Sequence, residues 1–115
     1  MVYDGKIINV FRTVAEHPKL MKCWFPFFNY FMGPRPRGRD KEIIILRITW
    51  LCQSEYAWSR HAASAKEIGF SDEELKRITK GPEAEGWSDF ERTILRAVDE
   101  LYLDAFISED TWNAL

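Results

Sequence analysis

The sequence holds two imidazoles, the side chain best suited to moving protons near neutral pH. His17 sits beside Pro18 at a helix entrance, where packing or a capping contact accounts for it, and it is assigned no chemical role. His61 lies midway along SEYAWSRHAASAKEIG, on the face that carries alanines and Trp58 rather than charge. An imidazole in that setting either lines a cleft as a general acid or base or is a satisfied core histidine. Two glutamates are candidates to orient it. Glu55 is on the same helix, but six steps of about 100° carry it about 120° around the cylinder from His61. Its place in the first turn is better explained by the attraction of a carboxylate to a helix N-terminus. Glu42 belongs to the preceding helix and can project across the helix pair towards His61, although a first-turn carboxylate would account for it as well. Cys23 and Cys52 are far apart, share no metal-ligand spacing and read as free thiols of a reducing compartment. Arg35, Arg37 and Arg39 occupy the loop GPRPRGRD, where they either meet an anionic substrate or face water.

The elements that must position these residues are legible as helices. Ile7, Ile8, Phe11 and Val14 fall at amphipathic spacing, which predicts a helix over residues 4–16 with Asp4 as its cap. The run PKLMKCWFPFFNYFMG, from Pro18 to Gly33, is apolar on nearly every side. It predicts a helix buried on both sides or one laid against a partner subunit, kinked or broken at Pro26. Asp40 caps DKEIIILRITWLCQ, in which Ile44, Ile45, Ile48, Leu51 and Cys52 recur at helical spacing. The isoleucine run with Ile48 and Trp50 would also suit a buried strand, but no second strand candidate exists to pair with it. Ser54 caps the helix of Ala57, Trp58, His61 and Ala65, which Gly69 ends. The strings SDEE at 71–74 and SDFE at 88–91 are capping boxes, and Gly81 closes the short helix between them. From Phe90 an apolar stripe runs through Ile94, Ala97, Val98, Leu101 and Ala105, and Ser108 caps a last helix. The fold class is all-α.

At 115 residues the chain is expected to be a single domain, residues 1–115, with little depth for an active site unless a partner subunit supplies further walls. Seventeen aromatic residues, five Trp, four Tyr and eight Phe, point the same way, because large rings are favoured in subunit contacts. A formal charge of −2 offers no electrostatic footprint for nucleic acid or an anionic membrane surface, and neither is expected as a partner. The absence of a long uncharged apolar run, together with the free thiols, gives a cytoplasmic expectation.

The stretch from Glu42 to Gly69, EIIILRITWLCQSEYAWSRHAASAKEIG, followed by SDEEL and a GWSDFER helix, resembles the carboxymuconolactone decarboxylase family, whose broader superfamily includes the alkylhydroperoxidase D-like proteins. The resemblance covers about residues 37 to 115 and implies an alkylhydroperoxidase D-like helical bundle that assembles as a homo-oligomer, a trimer or hexamer. Redox members of the superfamily carry cysteines seven and four residues before the histidine. Here those positions hold Ser54 and Ala57, and neither a hydroxyl nor a methyl can form the disulfide of a two-cysteine peroxidase. The decarboxylase branch keeps the histidine without the thiols. His61 matches that position and Glu42 matches the superfamily's glutamate at the start of the preceding helix. Many relatives read YEWxxH, whereas this chain has Tyr56-Ala57-Trp58.

The resemblance therefore implies a cofactor-free lyase, with no metal, acting on a small carboxylated lactone or enol-forming compound. His61 and Glu42 would be its catalytic pair, Trp58 and Tyr56 would line the pocket, and Arg37 or Arg39, or Arg35 beside them, would hold a substrate carboxylate. The alternative is a non-catalytic, oligomeric small-molecule binding or scaffold protein that keeps the helical frame.

Overall fold

The computed structural model describes residues 2–3, 6–33 and 38–115, which fall into two compact units, Met1–Pro36 and Arg37–Leu115. The first opens with a two-stranded antiparallel ribbon, β1 (Val2–Tyr3) against β2 (Lys6–Ile7). The predicted helix over 4–16 is therefore shorter: α1 spans Asn9–Ala15 behind an Ile8 cap that offers no side-chain bond. Lys6 and Ile7 are committed to the ribbon, and Asp4 lies outside the described residues. Helix α2 (Pro18–Phe31) follows, with Pro at its first position, where the missing N–H costs no hydrogen bond. Phe11 is buried in this unit, its ring 5.8 Å from Trp24 and 5.1 Å from Phe28, and Trp24 stacks on Phe28 at 4.9 Å.

Of the alternatives expected for this region, a break at Pro26 and a helix buried on both sides are overturned. Pro26 does not break α2, which continues through it to Phe31. Nor is α2 a helix buried on both sides: none of its residues is buried, and Leu20, Phe27, Tyr30 and Phe31 are exposed. His17 occupies the N-cap of α2 without a capping bond from its ring.

The second unit is a helical bundle of α3 (Gly38–Leu51), α4 (Glu55–Glu67), α5 (Asp72–Lys80), α6 (Asp89–Asp104) and α7 (Glu109–Ala114). Helix α3 is its axle, packing against α4, α5 and α6. It starts two residues before the expected Asp40 cap, so Asp40 sits in its first turn. Its deepest face is also rotated from the expected one. Glu42, Ile43, Leu46, Arg47 and Thr49 are buried, Ile44, Ile45 and Ile48 only partly so, and Cys52 is exposed. With neighbours on three sides, α3 has no single wet face, and the apolar stripe alone does not fix its rotation. Ile43, Leu46, Ile78 and Leu95 are sealed from solvent at the centre, with Ala65, Phe70, Leu75, Trp87 and Ile94 around them.

Both capping boxes form as expected: Ser71 with Glu74 at the start of α5, and Ser88 with Glu91 at the start of α6. Each glutamate does a second job. Arg39, at the start of α3, donates from Nη2 to Glu74 at 2.6 Å and from Nε to Glu91 at 2.7 Å, with its guanidinium over the Phe70 ring. The N-terminal ends of three helices thus converge on one side chain. Glu74 is held below the ordinary carboxylate range, first by the Ser71 N–H and then by Arg39. Burial works against the charge on Glu91, but the Ser88 N–H and Arg39 outweigh it and hold it low as well. Gly81 ends α5 at φ 92°, where a Cβ would strain the backbone and stand 2.7 Å from Arg47 Nη2. In α6 the stripe buries Ile94, Leu95, Ala97 and Val98, while Phe90 and Leu101 at its ends are exposed. Ser108 caps α7, and the Glu100 carboxylate, accepting from the Ser108 N–H and the Ser108 and Thr111 hydroxyls, is held low by those bonds.

Candidate active site

Helices α3 and α4 are joined by a tight turn, Cys52–Gln53–Ser54, in which Gln53 adopts a left-handed φ of 53°. The turn lays α4 back along α3, so a residue one turn into α3 faces a residue two turns into α4. Glu42 and His61 meet in this way, with Glu42 Oε2 2.9 Å from His61 Nδ1. A carboxylate only accepts, so the hydrogen bond places the proton on Nδ1 and leaves Nε2 as the basic nitrogen of the neutral ring. The two side chains differ in access: Glu42 is 9% exposed and His61 35%. Glu42 is thus a buried anchor that fixes the tilt and tautomer of an imidazole whose other edge reaches solvent. Among the described residues no hydrogen bond engages His61 Nε2.

At the α3–α4 turn lies a cleft of about 500 Å³ lined by Thr49, Trp50, Leu51, Gln53, Ser54, Glu55 and Trp58; neither Glu42 nor His61 is among its lining residues. Its wall is an indole corner, Trp50 and Trp58 with ring centroids 5.5 Å apart and planes at 58°. Trp58 also packs against the core cluster, which anchors that wall to the bundle. Ser54 is the N-cap of α4, as expected, but its hydroxyl makes no capping bond. Glu55 lies in the first turn of α4 and on the rim of the cleft.

The expected substrate contacts are distributed unevenly. Trp58 lines the cleft; Tyr56 is half exposed on α4 and is not among the lining residues. Arg39 has its fork engaged by Glu74 and Glu91. The Arg35 and Arg37 expectations lie outside the described residues. Reading by sequence missed Trp50, Gln53 and Thr49 as cleft residues. The available signal was a pair of tryptophans eight positions apart across a short turn, a spacing that folds one ring onto the other. It also missed Arg47, whose signal was a lone charge inside IIILRITWL. Arg47 is buried, grips Asp99 through Nε at 2.6 Å and Nη2 at 2.9 Å, and donates from Nη1 to the Ile78 and Thr79 carbonyls, both at 3.0 Å.

In this helical bundle a buried glutamate on one helix is hydrogen-bonded to a partly exposed histidine on the next, and among the described residues no group of three or more His, Cys, Asp or Glu is placed to hold a metal ion. The chain belongs to the carboxymuconolactone decarboxylase family, whose model matches residues 18–100, from the first residue of α2 to the penultimate turn of α6. No curated protein and no solved structure matches the chain. Among the described residues no helix is long and apolar enough to cross a membrane.

Proposed function

We propose that this chain is a cofactor-free decarboxylase or related lyase in which His61 is the acid–base residue and Glu42 orients it. The observation that carries this reading is the asymmetry of the pair, a buried carboxylate on one ring nitrogen and solvent access at the other. Family membership supports the reaction class. Loss of CO₂ from a carboxylated lactone breaks the bond between the ring carbon and the carboxyl carbon and leaves its electron pair as a dienolate. His61 in its protonated form donates a proton to carbon and ends neutral, and Glu42 stabilises the charged ring beforehand. Tyr56, on the same helix as His61, is the proposed contact to the apolar part of the substrate, and Trp58 lines a separate cleft at the α3–α4 turn. With Arg39 engaged inside the bundle, Arg37 is the better proposed partner for a substrate carboxylate.

A homo-oligomer, a trimer or hexamer, belongs to the same proposal. Leu101, Tyr102, Leu103, Phe106 and Trp112, on α6, α7 and the connection between them, are exposed large apolar side chains, and such residues are enriched in subunit contacts. Native mass spectrometry tests it, and a purely monomeric species would overturn it. The catalytic reading is tested with carboxymuconolactone itself, following CO₂ release by the wild type, His61→Ala and Glu42→Gln. Turnover that falls by a factor of about 10² to 10⁴ in His61→Ala supports the role of the imidazole. Equal turnover in that variant, or none by the wild type, rejects the reading.

A further inference from the structure

The cleft at the α3–α4 turn has a chemical character of its own. Its two large surfaces are the Trp50 and Trp58 indoles, meeting as a corner. Its polar groups are the Gln53 amide, the hydroxyls of Thr49 and Ser54, and one carboxylate, Glu55; no basic side chain is among the lining residues. Thr49 is partly spent, since its hydroxyl donates to the Leu46 carbonyl at 3.1 Å. Trp50 is 47% exposed although it is one of the largest apolar groups in the chain, and Gln53 is held in a backbone region that side chains rarely adopt. A solvent-facing indole and a strained turn at one cleft are features that folding alone does not favour.

Indole faces carry negative electrostatic potential, and a carboxylate on the rim adds to it. A carboxylate-bearing ligand would meet that potential with no cation to offset it. We infer that the cleft formed by Trp50, Trp58 and Glu55 is a binding site for a small organic cation, a ring-bearing or methylated ammonium, whose positive charge lies against the indole corner and within reach of the Glu55 carboxylate. Trp58 stands one turn before His61, a rise of about 4.5 Å along α4, so the bound cation is a neighbour of the imidazole. The site does not depend on the reaction assigned to His61, because its test reads binding and not turnover.

Three probes that share a phenyl ring and differ in charge decide the matter: benzyltrimethylammonium, benzyl alcohol and benzoate, each titrated calorimetrically into the protein. The expected order is ammonium tightest, alcohol weaker and benzoate without measurable binding. Glu55→Gln, on an exposed position, should weaken the ammonium roughly two- to fivefold and leave the alcohol unchanged. Trp50→Leu should weaken both, with far-UV circular dichroism and the melting temperature confirming that the variant is folded. Benzoate binding as tightly as the ammonium, an ammonium affinity unmoved by Glu55→Gln, or no binding of any probe would overturn the assignment. Turnover of carboxymuconolactone by a protein that binds no ammonium would sink this site and leave the role of His61 standing.

Discussion

Helix α3 carries two buried charges five residues apart, Glu42 and Arg47, and they are treated in opposite ways. Arg47 makes four hydrogen bonds: both oxygens of Asp99 and two carbonyls at the end of α5 accept from its fork, and its side chain is 8% exposed. Glu42 instead meets a single histidine whose other nitrogen remains accessible. A buried ion engaged in this way holds structure in place and has little left to offer a guest molecule. A buried ion that fixes only one edge of a titratable ring prepares the other edge for use. The contrast separates architecture from chemistry on the same helix.

The sharpest way to break this contrast is to remove one partner from each pair. His61→Ala should cost roughly 3 to 5 kcal/mol of activation barrier on a confirmed substrate and about 1 to 2 kcal/mol of stability, because Glu42 is left without its partner, read by steady-state kinetics and urea unfolding. Arg47→Ala should do the reverse, losing about 3 kcal/mol of stability because Asp99 and the α5 carbonyls lose their donor. Should Arg47→Ala unfold no more easily than His61→Ala, the division is wrong. Gly81→Ala sharpens the same point. Its Cβ would strain a left-handed backbone and collide with the Arg47 guanidinium, at a cost of about 2 kcal/mol. Combined with Arg47→Ala, the collision part of that cost should vanish, so the two losses should add to less than their sum in a double-mutant cycle.

A third ionic group, Arg39 with Glu74 and Glu91, lies between the extremes. Both carboxylates have folded values below their ordinary 4.5, so the unfolded chain binds protons more readily as the pH drops. Their contribution is therefore complete above pH 4.5 and is lost as the pH falls below it, towards their lowered folded values. Arg39→Ala should cost about 1 kcal/mol at neutral pH and flatten the acid limb of a melting-temperature profile. The smallest effect expected is a gain. Ala105 ends α6 at φ 61°, a conformation glycine adopts freely, so Ala105→Gly should raise stability by about 0.5 to 1 kcal/mol in thermal unfolding.

Local grammar was readable in the sequence wherever the partner is a near neighbour. Ser71 with Glu74, Ser88 with Glu91, the Gly81 stop and the Ser108 cap all involve groups within a few residues, so spacing alone specifies them. The encounter of His61 with Glu42 was legible as a possibility because both sit on helices joined by a short turn. Depth was not legible. The rotation of α3, the exposure of α2 and the engagement of Arg39 depend on which distant surfaces come together, and apolar patterning does not encode that choice for a helix with neighbours on several sides. The ribbon at Lys6–Ile7 was hidden for another reason: apolar residues two to four apart satisfy helix and strand templates alike over so short a run.

The shared grip of Arg39 on two capping boxes restricts where this chain can vary in length. With the first turns of α5 and α6 registered against the start of α3, a residue inserted between them has to be absorbed within 81–88. That segment is itself fastened by Arg77 to the Gly86 carbonyl, by Arg92 to the Pro82 carbonyl and by the Trp87 indole to the Gly81 carbonyl. Insertions and deletions within 81–88 therefore have to break these tethers or shift the grip of Arg39.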